Sequence, residues 1–283
     1  MKKIMILGDP VEHSLSPIMH NTAFNYLNLE KEFQYGKMRV SLDGLAAFVE
    51  LIRMGNIYGA SVTIPHKIAI KDYVDKMTKE AKLIGAVNTI YVEDDGQKKI
   101  VGHNTDGIGC LSALKEQGVK IQGKKVAIIG AGGAARAIAF TFALNDPKQI
   151  SIINRTEEKA KFLAEEIRSK TKALVVGSSI KRSHEVIKNS DIIINTTSVG
   201  MKGHESGKSL IDPELLNSTQ VVMDIIYIPE KTKLLSDAEE KGCKIINGVG
   251  MLVHQGAEAF KIWTGKNAPI EIMKQTVLNT LRL

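Results

Sequence analysis

Lys125-Val126-Ala127-Ile128-Ile129 runs directly into Gly130-Ala131-Gly132-Gly133-Ala134-Ala135-Arg136, a short apolar run, a glycine turn and the opening of a helical pattern. The turn fits G-x-G-x-x-[GA], the form taken where a strand hands over to a helix that receives a dinucleotide pyrophosphate. Gly130 makes the tight turn, Gly132 lets the backbone come close to the phosphates, and Ala135 allows helix and sheet to pack closely. Gly130, Ala131, Gly132, Gly133 and Ala134 are therefore the candidate pyrophosphate-binding residues. A lone glycine motif says little, but here a strand precedes it, and a helix and a second strand, Ile150–Asn154, follow at the expected spacing.

Outward from that stretch, Ile- and Val-rich runs alternate with helical patterns along the whole chain, which predicts an α/β protein with mostly parallel sheets. In the first part, strands are expected at Lys3–Leu7, Phe33–Arg39, Gly59–Thr63 and Ile90–Val92, with helices at Pro17–Leu27, Leu45–Met54 and Thr78–Ile84. In the second, strands are expected at Val126–Ile129, Ile150–Asn154, Leu174–Val176, Ile192–Asn195, Val221–Ile225 and Lys244–Ile246. The turn-rich stretch Glu93–Asn104 and the polar segment Lys115–Lys125 bracket a helix, Asp106–Gln117, that reads as the passage between two domains. The expected division is a first domain over 1–105, joined by a returning helix in 265–283, and a dinucleotide-binding domain over 106–264. The last helix, Pro269–Leu281, carries Ile270, Met273, Val277 and Leu281 on one stripe and needs a surface to cover.

The 283 residues are 43% apolar, enough for two cores and too apolar for a disordered chain. The run Val126–Leu144 is long enough to span a membrane, but Gly130, Gly132, Gly133 and Arg136 interrupt it. Met1-Lys2-Lys3 has the charge of a signal peptide, yet only Ile4–Leu7 follow before Gly8-Asp9-Pro10, so a cytoplasmic location is expected. Cys110 and Cys243 have no metal or redox spacing. His13, His20, His66 and His103 show no i, i+4 pair with an acidic partner, and no metal is expected. Lys and Arg exceed Asp and Glu by 38 to 31, scattered rather than gathered into a basic stripe. That argues against nucleic acid and favours small anions.

At the end of the second strand of the dinucleotide unit, an NAD enzyme usually carries an acid for the ribose 2′-hydroxyl. This chain reads Asn154-Arg155-Thr156, and a guanidinium with a hydroxyl answers a 2′-phosphate, so NADP is the expected cofactor. Arg155 could equally be a solvated side chain, and Thr156 a cap for the helix beginning at Glu157.

Four further polar motifs lie near predicted strand ends: His13-Ser14-Leu15-Ser16-Pro17, Val62-Thr63-Ile64-Pro65-His66-Lys67, Gly85-Ala86-Val87-Asn88-Thr89 and Asn104-Thr105-Asp106-Gly107. With Gly248-Val249-Gly250-Met251-Leu252-Val253-His254-Gln255-Gly256-Ala257, they make the chain resemble the shikimate dehydrogenase family over essentially its whole length and in the right order. The resemblance implies reversible, NADPH-dependent reduction of the C3 ketone of 3-dehydroshikimate to shikimate, in aromatic amino-acid biosynthesis. It implies that Ser14 and Ser16, helped by Thr63, hold the substrate carboxylate, and that Lys67, Asn88, Asp106 and Gln255 contact the ring hydroxyls. Lys67 and Asp106 would handle the proton, Tyr227 would approach the substrate, and Ile225, Gly248 and Met251 would border the nicotinamide. Ser61 departs from the Asn usual in the family before Val-Thr, and Ile228 from the Asn that commonly follows the tyrosine. Taken singly, each residue has a plainer role: Ser16 as a helix cap, Lys67 as a solvated lysine in a helix's first turn, Asp106 as an N-cap. A quinate/shikimate dehydrogenase of broader cofactor use and a non-catalytic NADP or metabolite sensor remain the alternatives. Monomer and homodimer are both open.

Overall fold

The computed structural model describes residues 1–282, which divide into two compact units, Met1–Gly109 with Leu252 onward, and Cys110–Met251. The first contains β1 (Lys2–Gly8), α1 (Ser16–Tyr26), β2 (Phe33–Arg39), α2 (Leu45–Arg53), β3 (Gly59–Val62), β4 (Lys76–Met77), α3 (Lys79–Ile84), β5 (Thr89–Asp94) and β6 (Lys98–His103). Helix α4 (Asp106–Glu116) contains the first division. The second unit contains β7 (Lys125–Ile129), α5 (Gly133–Ala143), β8 (Gln149–Asn154), α6 (Glu157–Lys170), β9 (Val175–Ser179), α7 (His184–Lys188), β10 (Ile192–Asn195), β11 (Val221–Asp224), α8 (Lys233–Glu240) and β12 (Lys244–Ile246). Helix α9 (Val249–Thr264) contains the second division, and α10 (Ile270–Leu281) belongs to the first unit.

The second unit's sheet runs β12-β11-β10-β7-β8-β9, parallel throughout, which is the doubly wound order in which the chain reverses direction between β7 and β10. Its strands are continuous apolar runs because helices cover both faces; Ile128, Ile152, Ile193 and Val222 are buried.

The first unit's sheet runs β2-β1-β3-β5-β6-β4 and is mixed: β1 is parallel to β2 and β3, and β4 to β6, but β5 is antiparallel to both neighbours. The stretch Glu93–Asn104, expected to be turn-rich linker, is therefore corrected: it forms the β5–β6 hairpin around Gly96. Lys98 and Lys99 hide the strand from a hydrophobicity count, whereas Ile100 and Val101 are buried in the sheet. The hairpin matters for function because it brings the start of β5 and the end of β6 to the same edge as the carboxyl ends of β1 and β3.

The divisions fall at Gly109 and Met251 rather than at 105 and 264, because the body of α9 packs into the first unit. Its Phe260 and Trp263 join His20, Phe24 and Tyr35 in a ring cluster, and Trp263 Nε1 donates to the Ile90 carbonyl at 3.0 Å. The stripe on α10 buries Met273 and Val277, and the helix packs against α1.

His20 stacks on Tyr35 at 4.5 Å and is fully buried, and burial pushes its pKa down from 6.5 to about 3. The unfolded chain takes up a proton on this ring below about pH 6.5 while the folded chain does not, so stability falls as pH drops through that window. At pH 4.5 the loss from this ring is about 3 kcal/mol, at 1.36 kcal/mol per pH unit. Substituting His20→Phe should remove about that much from the decline in unfolding free energy between pH 7 and 4.5, measured by urea titration. An undiminished decline would contradict the assignment.

Candidate active site

Lys67 follows β3 through a turn in which the His66 amide donates to the Thr63 carbonyl at 3.0 Å. The Lys67 carbonyl accepts from the Val87 amide at 2.7 Å, tying this turn to the segment leading into β5. Lys67 Nζ lies 2.5 Å from Asp106 Oδ2, with the two side chains 16% and 4% exposed. Such a charge-assisted contact in a largely desolvated place is far stronger than a surface pair.

Asp106 is the first residue of α4 but does not cap it. Asn104 does so instead: its Oδ1 accepts the Asp106 amide at 3.0 Å, while its Nδ2 donates to the Ala86 carbonyl at 2.9 Å. The Asp106 carboxylate is thereby free of capping duty and is gripped on its other oxygen by Asn88 Nδ2 at 2.9 Å. Asn88 sits just before β5, and its Oδ1 accepts from the Thr105 amide and the Thr89 hydroxyl, both at 2.8 Å. Gln255 Oε1 stands 3.5 Å from Asn88 Nδ2, and Gln255 Nε2 donates to the Leu252 carbonyl at 2.8 Å. Lys67, Asn88, Asp106 and Gln255 thus form one cluster. Thr105 and Asn104 belong to its framework and went unassigned from sequence; their signal was the crowding of short polar residues immediately before a helix.

Ser14 and Ser16 lie at the start of α1. Leu15 occupies the cap position without a side-chain hydrogen bond, and the helix begins at Ser16, so Ser16 is not the cap. Ser14 Oγ accepts the Ser16 amide at 3.3 Å. Ser16 is buried, and the Tyr35 hydroxyl donates to Ser61 Oγ at 2.7 Å. The unusual Ser61 is thus bonded, through a tyrosine 26 residues away that no sequence spacing reveals. The Asp9 amide donates to the Ile64 carbonyl at 3.0 Å, joining the loop after β1 to Thr63 and its neighbours. A hydroxyl pair at a helix start suits a carboxylate.

The second unit carries the other assigned residues. Gly130 has φ +118°, a backbone that favours glycine, and a Cβ there would stand 2.3 Å from Thr196 Oγ1. Around Gly132 nothing lies within 4 Å of the place a Cβ would take, so this glycine leaves open space rather than fitting a packed contact. Helix α5 begins at Gly133 without a side-chain cap, leaving first-turn amides for an anion. Ala131 and Ala134 are half-buried beside it. At the end of β8, Asn154 Nδ2 donates to the Thr156 carbonyl at 2.9 Å, and the Thr156 hydroxyl makes no cap to α6. Arg155 is exposed and, among the described residues, forms no ion pair or hydrogen bond. This donor set fits a pyrophosphate and a 2′-phosphate. The Gly248 amide donates to the Ile226 carbonyl at 3.0 Å, and a Cβ on Gly248 would stand 2.1 Å from the Ile225 oxygen, so Ile225 and Gly248 are held together. Met251 is buried, Tyr227 is half-buried and lies in this unit, and the Ile228 carbonyl accepts from the Lys202 amide.

Two of the histidines have close protein partners. His66 Nε2 lies 2.6 Å from the Val40 carbonyl and His103 Nδ1 2.9 Å from Thr78 Oγ1. Among the described residues no helix is long and apolar enough to cross a membrane.

Family models match along the chain: the shikimate dehydrogenase substrate binding domain over residues 6–90, shikimate/quinate 5-dehydrogenase over 112–225, and the shikimate 5′-dehydrogenase C-terminal domain over 248–278. A shikimate dehydrogenase (NADP+) of Methanobrevibacter smithii is 44% identical over 283 residues, covering 100% of this chain and 98% of the relative. Among solved structures, a shikimate dehydrogenase in complex with NADP+ superposes with a TM-score of 0.90 at 43% identity, covering 99% of this chain and 96% of the other. Shikimate 5-dehydrogenase of Thermus thermophilus, in complex with NADP(H) and shikimate, gives 0.86 at 34% identity, covering 99% and 100%. With motifs, two-unit architecture and full-length relatives in agreement, this chain belongs to the shikimate dehydrogenase family.

Proposed function

We propose that this chain is an NADP-dependent shikimate dehydrogenase, which reduces the C3 ketone of 3-dehydroshikimate to the hydroxyl of shikimate and runs in reverse, on the cytoplasmic route to aromatic amino acids. The observation that carries this reading is the Lys67–Asp106 pair, buttressed by Asn88: an acid–base unit whose carboxylate is spared from capping its own helix. The NADP-dependent relatives support it.

When bound, NADPH supplies the hydride that adds to the carbonyl carbon. Lys67 Nζ donates a proton to the oxygen that becomes the alkoxide, and in the oxidative direction it accepts that proton back. Asp106 holds the ammonium in place through the short contact, and Asn88 fixes the carboxylate by its second oxygen. Ser14, Ser16 and Thr63 anchor the carboxylate away from the reacting carbon, while Asn88, its Oδ1 and Nδ2 engaged by Thr89, Thr105 and Asp106, orders the cluster that faces the ring hydroxyls and Gln255 offers them its amide. Arg155, with Asn154 and Thr156, takes the 2′-phosphate, and the residues from Gly130 to Ala134 take the pyrophosphate.

Two experiments test this. Incubation of 3-dehydroshikimate with NADPH bearing the transferable deuterium should give shikimate with one deuterium at C3; unlabelled product, or none, contradicts the reaction. Replacing Ser14 by Ala removes one hydrogen bond to a charged group, worth about 1.5–3 kcal/mol, so the KM for shikimate should rise at least about tenfold with the KM for NADP nearly unchanged. Unaltered shikimate saturation would leave Ser14 with only its structural bond to Ser16.

A further inference from the structure

Asp224, the last residue of β11, is completely buried and takes no part in the chemistry just described. Its carboxylate receives three neutral donors and, among the described residues, faces no cation. Oδ1 accepts from Asn195 Nδ2 at 3.1 Å and from the Ile226 amide at 3.1 Å, and Oδ2 accepts from the Thr232 hydroxyl at 2.7 Å. Asn195 and Thr232 are themselves buried. Burial without a compensating charge raises this carboxyl from its ordinary 3.8 to about 6. A buried carboxylate answered only by neutral groups is costly, and removing it would leave Asn195 Nδ2, the Ile226 amide and the Thr232 hydroxyl without their acceptor.

What Asp224 governs is the turn that follows it. The Ile226 amide is bound to Asp224, and the Ile226 carbonyl accepts the Gly248 amide at 3.0 Å. The Ile225 amide is bound to the Asn195 carbonyl at 3.1 Å, and the Ile225 oxygen lies where Gly248 tolerates no side chain. Each backbone contact that seats Ile225 beside Gly248 is therefore one bond from Asp224 or from its partner Asn195.

Resting on the assignment of Ile225 and Gly248 to the nicotinamide end, we propose that Asp224 is a positioning residue for the nicotinamide half of the cofactor, acting through the Ile225–Tyr227 turn and not on the adenosine half. An Asn at this position keeps both Oδ1 contacts and can donate to Thr232 Oγ1, which has lone pairs to accept, whereas Ala loses all three.

The test compares binding of NADP+ with that of adenosine 2′,5′-bisphosphate, a cofactor fragment without nicotinamide, by calorimetry. For Asp224→Ala the Kd for NADP+ should rise at least tenfold and that for the bisphosphate less than twofold, with kcat reduced. Asp224→Asn should bind both within threefold of wild type. Should the Ala variant not fold, Thr232→Val, which deletes the donor to Oδ2 together with the cap that Thr232 Oγ1 gives the Leu235 amide of α8, should show the same split at about threefold. Equal weakening of NADP+ and bisphosphate would make Asp224 a general structural residue and overturn the proposal, as would unchanged NADP+ binding in Asp224→Ala. If wild-type protein binds bisphosphate but gains nothing from the nicotinamide half, the assignment of Ile225 and Gly248 fails and takes the proposal with it. Wild-type protein that binds neither ligand contradicts the NADP reading itself.

Discussion

Replacing Lys67 by Ala should lower kcat by roughly 100- to 10,000-fold, the span typical of a lost acid–base group. Nothing else in the cluster can take over the donation. Asp106 is already bound to Asn88, and Asn88 and Gln255 carry amides too weakly acidic and basic to act as a general acid. The KM for shikimate should change much less, because Ser14, Ser16, Asn88 and Gln255 still hold the ground state. The turn around Lys67 is built from backbone hydrogen bonds of Thr63, His66 and Val87, but the variant leaves the buried Asp106 without its cation, so a stability loss of about 3–5 kcal/mol should accompany the kinetic effect. Steady-state kinetics, with circular dichroism as the folding control, measure this. Near-normal kcat would transfer the acid–base role to Asp106, and a large KM rise with unchanged kcat would reduce Lys67 to a binding contact.

Arg155→Ala should raise the KM for NADP by about 10- to 150-fold, the equivalent of about 1.5–3 kcal/mol for charge-assisted bonds to a phosphate, and leave the KM for NAD within twofold. Arg155 is unengaged among the described residues, so its removal disrupts no internal contact. The turn keeps its shape because Asn154 bonds across it to the Thr156 carbonyl. Comparable losses with both cofactors would show that Arg155 does not read the 2′-phosphate.

These two side chains were singled out in the sequence for different reasons. Arg155 is local: the glycine turn, the second strand and the residue after it stand in a spacing set by βαβ geometry. Lys67 and Asp106 are 39 residues apart, and what joins them is the β5–β6 hairpin, which the lysines at 98 and 99 and the glycine at 96 disguised as linker. The resemblance supplied that pairing; periodicity did not. The cap on α4 shows a similar limit. An Asp before a helical run reads as an N-cap by propensity, and only the structure reveals that Asn104 takes the duty and releases Asp106. Tyr35 beneath Ser61 and Asp224 beneath the Ile225 turn are invisible in sequence because their partners come from other strands or loops, and an isolated Tyr or Asp at a strand carries no spacing signal. The place of α9 was missed because its apolar residues read equally well against either core; the ring cluster of His20, Phe24 and Tyr35 decides it.

The most direct test of the central claim is growth of the NADPH absorbance band when the purified protein is given shikimate and NADP+, run beside quinate and NAD+ in all four combinations. The account predicts turnover with shikimate and NADP+, and a lower kcat/KM in each of the other three. No NADPH from shikimate, or faster turnover of quinate with NAD+, would contradict it.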